Sequence, residues 1–256
     1  MNLYDFFHSA AYRYLGRNTL TPDEVTQLPR CIKLLTQGFG GSTAIDYSNR
    51  ITKLAYMFSY APKHAIIWRE CAHNFLEIPD HGKIEFNSFG TACGPEIIGL
   101  MEGPALPKGS VLSVHCLDSD TGWYPMLTAV IEEYTFRTNK SLQVQFGGLA
   151  KGKDVLGSFI LSELVKQGTH QGFNTSFKNQ IGRCKGLFLD IPKCRLADGT
   201  EPFLSEVFKL GFWNFTRHDV QLKDIINAEM NSCQGCYCLN QLTSEPKLNF
   251  YFPKFE

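Results

Sequence analysis

A chain of 256 residues, 43% hydrophobic and 20% charged, has globular composition and enough length for one sizeable core plus an accessory helical segment. Lysine and arginine total 25 against 25 acids, so no global field draws the chain to nucleic acid or an anionic membrane; a local basic patch stays open. No apolar run approaches the ~20 residues that span a bilayer, so a soluble protein with no membrane partner is expected.

The first segment, MNLYDFFHSAAYRYLG, spaces Leu3, Phe6, Phe7, Ala10 and Tyr14 as a helix does. With Asp5 early and Arg13 the first arginine, it lacks the marks of a signal or transit peptide, and an intracellular, cytoplasmic protein is expected. Nine cysteines, several of them scattered through regular elements, fit free thiols in a reducing compartment. Thr21-Pro22-Asp23-Glu24 is a helix start, with a capping hydroxyl, a first-turn proline and acids at the positive helix end. Gly38-Phe39-Gly40-Gly41-Ser42 breaks the pattern as a loop, and Ile51, Leu54, Ala55 and Phe58 resume it. Residues 1–80 therefore read as a helical cap or lid, and 81–256 as a second, α/β domain.

From Lys83 the texture changes to short apolar runs between helical stretches, the habit of a parallel sheet with crossover helices. Strands are expected near Ile84 to Phe89, Val111 to Leu117, Leu142 to Phe146, Val155 to Phe159 and Leu187 to Asp190. Helices are expected at Glu96 to Met101, Tyr124 to Thr138, Ser162 to Lys166 and Asn174 to Gly182. Alternation in 212–217 and in Leu248 to Phe252 adds two late strands, the last antiparallel at the C-terminus. The result is a mostly parallel seven-stranded sheet with helices on both faces and an N-terminal helical extension.

Ser88-Phe-Gly-Thr-Ala-Cys-Gly-Pro-Glu96 joins the first strand to an apolar helix. A glycine turn there lets a ligand approach the backbone, and the helix start offers unpaired N–H groups. Those physics serve dinucleotides and S-adenosylmethionine (SAM) alike. The second strand discriminates: it ends at Leu117-Asp118, where a carboxylate can accept both hydroxyls of a ribose. With neither a tight GxGxxG nor a phosphate-loop lysine, the pattern favours SAM.

These residues resemble the class I SAM-dependent methyltransferases over about residues 54 to 190. The resemblance rests on the glycine segment, Leu117-Asp118 and Asp154 to Leu164, and it implies a Rossmann-like fold with SAM as cofactor. A shorter likeness, in Tyr60-Ala-Pro-Lys-His-Ala65 and Leu161-Ser-Glu-Leu164, is to methyltransferase-like proteins of the small mitochondrial ribosomal subunit. By resemblance Gly90 and Gly94 pass under the methionine portion, Asp118 holds the ribose, and the region of Phe146, Gly147 and Gly148 borders the adenine. Ser88, Thr91, Ala92, Ser119, Ser158 and Phe159 complete the implied cofactor site. The sequence departs from the family in three places: Ser88 stands where an acid is usual, three residues separate Gly90 from Gly94, and no acid follows Phe146. The implied function is methyl transfer to RNA or a small molecule, or a binding and assembly protein that keeps the fold without catalysis.

No catalytic residue is assigned. Asp120, Trp123 and Tyr124 could form a pocket wall, with Trp123 stacking on a planar ligand. Ser162-Glu163 reads as a helix cap, His115 as a packed strand residue, and His64 as a surface residue after Pro62. Arg217-His218-Asp219 reads as a turn salt bridge, since neighbours on a strand face opposite ways. Cys233, Cys236 and Cys238 would need a fourth ligand to hold zinc, and no metal is expected.

Overall fold

Helix α1 (Leu3–Leu15) starts where Asn2 accepts the Asp5 N–H and stops at Gly16, whose φ of 64° is the left-handed conformation glycine adopts without strain. Helix α2 (Pro22–Gly40) opens with a full capping box: Thr21 accepts the Glu24 N–H and Glu24 accepts that of Thr21. Two short helices follow, α3 (Arg50–Ser59) and α4 (Ala61–Cys71). The structure is a computed structural model that describes residues 1–42, 44–74, 76, 83–104, 106, 111–140, 142–173, 175, 186–208, 214–233 and 248–254; residues 40, 205, 214–220 and 248–254 are described by backbone alone.

The remainder alternates strands and helices: β1 (Lys83–Phe89), α5 (Pro95–Glu102), β2 (Val111–Leu117), α6 (Tyr124–Thr138), β3 (Leu142–Phe146), β4 (Asp154–Ser158), α7 (Ile160–Lys166) and β5 (Gly186–Asp190). These five strands are parallel to their neighbours. Strands β6 (Asn214–Val220) and β7 (Leu248–Lys254) continue the sheet with antiparallel pairing, in the order β3-β2-β1-β4-β5-β7-β6. The chain moves outward from β1 to β3 and then returns to β4 on the other side of β1. The C-terminal ends of β1 and β4 therefore flank a topological switch point, the place where open α/β sheets form a ligand crevice.

Buried side chains of α1 to α4, α5 and α6 form one cluster with β1 and β2, while Phe89, Val155, Leu161, Val165 and Phe188 form a second around α7. Residues 1–72 thus share their core with the sheet. The closest approach is α4 on α5: a Cβ on Gly99 would lie 2.4 Å from the Ala65 carbonyl oxygen and 2.5 Å from Trp68 Cβ, so only glycine lets the helices meet.

The element boundaries shift modestly from expectation. The fourth strand ends at Ser158, and α7 begins at Ile160 rather than Ser162. A helix at Lys223–Ser232 and a short one at Leu204–Val207 were not expected from the sequence. The helix expected over Asn174 to Gly182 lies almost wholly outside the described residues, as do Cys236 and Cys238. Among the described residues no helix is long and apolar enough to cross a membrane.

Candidate functional site

The turn after β1 places Gly90, Ala92 and Gly94 at φ of 58°, 47° and 74°. A Cβ on Gly90 would come 2.8 Å from Ile160 Cδ1, so the missing side chain lets the turn settle against α7. Backbone hydrogen bonds then stitch it to the end of β2. Gly90 N–H donates to the Leu117 carbonyl at 2.9 Å, and Ala92 N–H donates to Asp118 Oδ2 at 2.9 Å. Asp118 Oδ1 accepts the Asp120 N–H, also at 2.9 Å. Burial raises the Asp118 carboxyl above its ordinary range, and the two N–H donors pull the other way.

Under the turn lies a buried polar network. Ser88 Oγ donates to Glu96 Oε1 at 2.5 Å, and Thr91 Oγ1 donates to the Ser88 carbonyl at 3.0 Å. Trp68 Nε1–H donates to Ser158 Oγ at 2.7 Å, and Ser158 Oγ reaches Glu96 Oε2 at 3.4 Å. Burial lifts the Glu96 carboxyl to about 7, against hydrogen bonds from both serines. The small Ser88 leaves room beneath the turn for the carboxylate arriving from α5, which is buried and does not line the cavity above.

Above the turn a cavity of about 850 Å³ opens at the switch point. Phe89, Gly90, Ala92, Leu117, Asp118 and Ser119 form its floor, and Ser158, Phe159, Ile160 and Glu163 one side. Its roof comes from the helical layer and the loop after α2: Phe39, Ile45, Tyr47, Ser48 and Tyr56. Trp123 and Asp120 close the far side, as expected for the wall, whereas Tyr124 packs instead on the Phe146 ring at 4.7 Å. Of the residues assigned to the cofactor from sequence, the cavity brings together Gly90, Ala92, Asp118, Ser119, Ser158 and Phe159. Ser88, Thr91, Gly94 and Gly147 do not line it: the first two hydroxyls are spent in the buried network, Gly94 starts α5, and Gly147 N–H is bonded to the Cys116 carbonyl.

The charged side chains in the cavity wall are acids. Asp118, Asp120 and Glu163 face it, and among the described residues no lysine or arginine lines it. Lys53 lies behind, 2.7 Å from Asp120 Oδ2 and 5.4 Å from the Trp123 ring centre. Lys166 holds Glu163 Oε1 at 3.0 Å and donates to the Gly38 carbonyl at 2.8 Å, while Glu163 Oε2 accepts the Ile45 N–H. This clamp ties the loop after α2 to α7.

Sequence reasoning missed most of the roof, and His64 is a correction. His64 is buried, with Nδ1 2.9 Å from the Tyr56 hydroxyl and its ring stacked on Phe159 at 4.2 Å, because α4 turns this face toward α3 and the core. Burial pushes its imidazole down to about 3, so it is neutral and unsuited to holding a proton. Phe159 has φ of 59°, costly for a bulky residue, and this directs its ring into the cavity wall. The expected Ser162-Glu163 cap is also replaced: Asp190, at the end of β5, accepts the Ser162 N–H at 3.0 Å, leaving Glu163 for the clamp. Arg217, His218 and Asp219 lie within β6 rather than at a turn.

No protein-family model and no curated protein matches this chain. Among solved structures, TnmH is similar with a TM-score of 0.51 at 13% identity, covering 91% of this chain and 70% of that one. A DhpI–SAM–HEP complex gives 0.41 at 10% identity (92% and 100% covered). An arsenic(III) S-adenosylmethionine methyltransferase from Chlamydomonas reinhardtii gives 0.38 at 12% (70% and 66% covered). The chain has a class I SAM methyltransferase-like fold.

Proposed function

We propose that this chain binds SAM at the switch-point cavity and serves methyl transfer to a small-molecule acceptor. The observation that carries this reading is the cavity wall: a glycine turn and Asp118 beside each other, with acids and aromatic rings and no lysine or arginine among the described residues. A pyrophosphate cofactor would need donors or cations there; a ligand bearing an ammonium, a sulfonium and a ribose suits acceptors and ring faces. SAM, when bound, supplies a methyl group activated by the sulfonium.

The chain's own residues have defined tasks. Gly90 and Ala92 let the ligand approach the backbone. Asp118, fixed by two N–H donors, keeps lone pairs for ribose hydroxyls. Ser158, its oxygen anchored between Trp68 and Glu96, marks the floor on the β4 side. Positioning of the acceptor against the methyl group is the contribution to rate assigned to the cavity. Intracellular placement accords with the free thiols described.

Asp118→Ala should weaken SAM binding by about tenfold to a hundredfold, as expected for losing a charged acceptor of two hydroxyls. Calorimetry with SAM checks this, with thermal unfolding as the control for the two N–H groups it leaves unpaired. Unchanged affinity would sink the assigned pocket. SAM binding without turnover on any metabolite or RNA pool would instead favour the non-catalytic reading.

A further inference from the structure

The roof of the cavity is built from rings that the cofactor floor does not require. Phe39 meets Phe159 at 5.2 Å, Tyr47 meets Trp123 at 5.3 Å, and Tyr56 meets Trp123 at 5.5 Å. All five line the same cavity. The rings come from α2, the 41–49 loop, α3, the segment before α6, and the start of α7, so tertiary packing has gathered them from distant parts of the chain. Interplanar angles among these rings run from 41° to 89°, so edges and faces alternate around the space instead of closing into one stack.

Such a lining has a definite selectivity. Ring faces carry negative quadrupole density and ring edges positive, so a flat aromatic guest gains edge-to-face or offset contacts that a saturated guest of the same carbon skeleton does not. The charged groups nearby act against anions: Asp118, Asp120 and Glu163 face the cavity, and their lysine partners Lys53 and Lys166 are not among the lining residues. The clamp of Glu163 to Ile45 N–H and of Lys166 to the Gly38 carbonyl holds the roof down on α7 over a half-open cavity of about 850 Å³, within the range of small-molecule sites.

We infer that the roof is the acceptor subsite and that it takes a small, planar, uncharged or cationic aromatic molecule bearing a nucleophilic hydroxyl or amine. This deepens the methyl-transfer reading and rests on it for the word acceptor.

The test is calorimetric and needs no turnover. 2-Naphthol and decahydro-2-naphthol share a carbon skeleton and a hydroxyl, and apolar burial alone would favour the saturated alcohol or neither. With S-adenosylhomocysteine, the demethylated product, present, naphthol is expected to bind about threefold to tenfold more tightly, the range that aromatic contacts contribute beyond area. 2-Naphthalenesulfonate is expected to bind more weakly than naphthol. Tyr47→Leu and Phe39→Leu, which keep apolar bulk and remove a ring, should each erase most of the naphthol preference, measured with S-adenosylhomocysteine at saturation for each variant.

Equal binding of the two alcohols to the unmodified protein would overturn the inference, as would preference for the sulfonate or a naphthol affinity indifferent to both substitutions. So would labelled methyl from SAM entering total RNA with none entering naphthol. If either variant fails to fold, the comparison on the unmodified protein still decides. The same titrations run without S-adenosylhomocysteine separate the two readings: naphthol preference with no S-adenosylhomocysteine binding would remove the cofactor assignment and leave an aromatic-binding site standing.

Discussion

The floor and the roof of the cavity are made in different ways. The floor is backbone: a turn with three positive φ values, two N–H groups on one aspartate, and a buried carboxylate beneath. The roof and the walls beside it are side chain: five rings, with one clamp holding them. A backbone floor positions a ligand common to many reactions, while a side-chain roof can change its selectivity without disturbing the sheet. That division follows from the topology, because the floor sits at strand ends fixed by the ladder and the roof hangs from helices that meet the sheet mainly through packing.

The largest expected effect tests the floor. Glu96 is fully buried and holds its proton up to about 7, against an ordinary value of 4.5. The folded state therefore binds more protons than the unfolded chain between those two values, and stability falls as pH rises through that window, levelling off above it. Glu96→Gln has no such titration. It should match the unmodified protein near pH 4 and exceed it by roughly 2–3 kcal/mol at pH 8, measured by denaturant unfolding at each pH. A gap that does not widen with pH would mean that the network is not organised around a buried carboxyl. Asp190, raised to about 6 by burial, titrates in the same direction in both proteins and cancels from the comparison.

The next effect tests the joint between the layers. Gly99→Ala in an isolated helix gains about 1 kcal/mol. Here the added methyl meets the Ala65 carbonyl and Trp68, and overpacking of that kind costs roughly 1–3 kcal/mol and sometimes more. A net loss of about 1–2 kcal/mol in unfolding free energy is expected. A gain would show that α4 can withdraw from α5 without penalty and that the helical layer is not rigidly seated.

The smallest effect tests the roof. Glu163→Gln keeps an acceptor for the Ile45 N–H and removes the charge opposite the fully buried Lys166. A loss of about 1–2 kcal/mol is expected, with faster amide hydrogen exchange confined to the loop after α2 and SAM affinity retained. Exchange unchanged in that loop would show that the clamp does not hold the roof.

Much of the floor was legible in the sequence because its determinants are local. A glycine-rich turn between an apolar strand and an apolar helix, then a strand ending in aspartate, announces the crevice through spacing alone. Gly90, Ala92, Asp118, Ser158 and Phe159, assigned from spacing and from the family resemblance, all line the cavity. Ser88 and Thr91 do not line it, for a reason that spacing cannot reveal: the Ser88 hydroxyl turns under the loop to meet Glu96 in the first turn of α5, and the Thr91 hydroxyl bonds back to Ser88. His64 read as a surface residue because Pro62 signals a helix start but not the face that the helix buries. The roof left almost no signal, since Phe39, Tyr47 and Tyr56 are individually ordinary core aromatics.

By itself the sequence determined what period and punctuation encode: the strands and helices from Lys83 to Asp190, the capped start of α2, and the turn with its partner aspartate. Those features depend on contacts within a few residues or along one β-strand. Only the tertiary structure decided that the buried Glu96 meets Ser158 across the sheet, that residues 1–72 share the core of the sheet, and that five scattered rings meet over one cavity. Each of those depends on side chains brought together from opposite ends of long sequence separations, where packing and burial, rather than local preference, set the outcome.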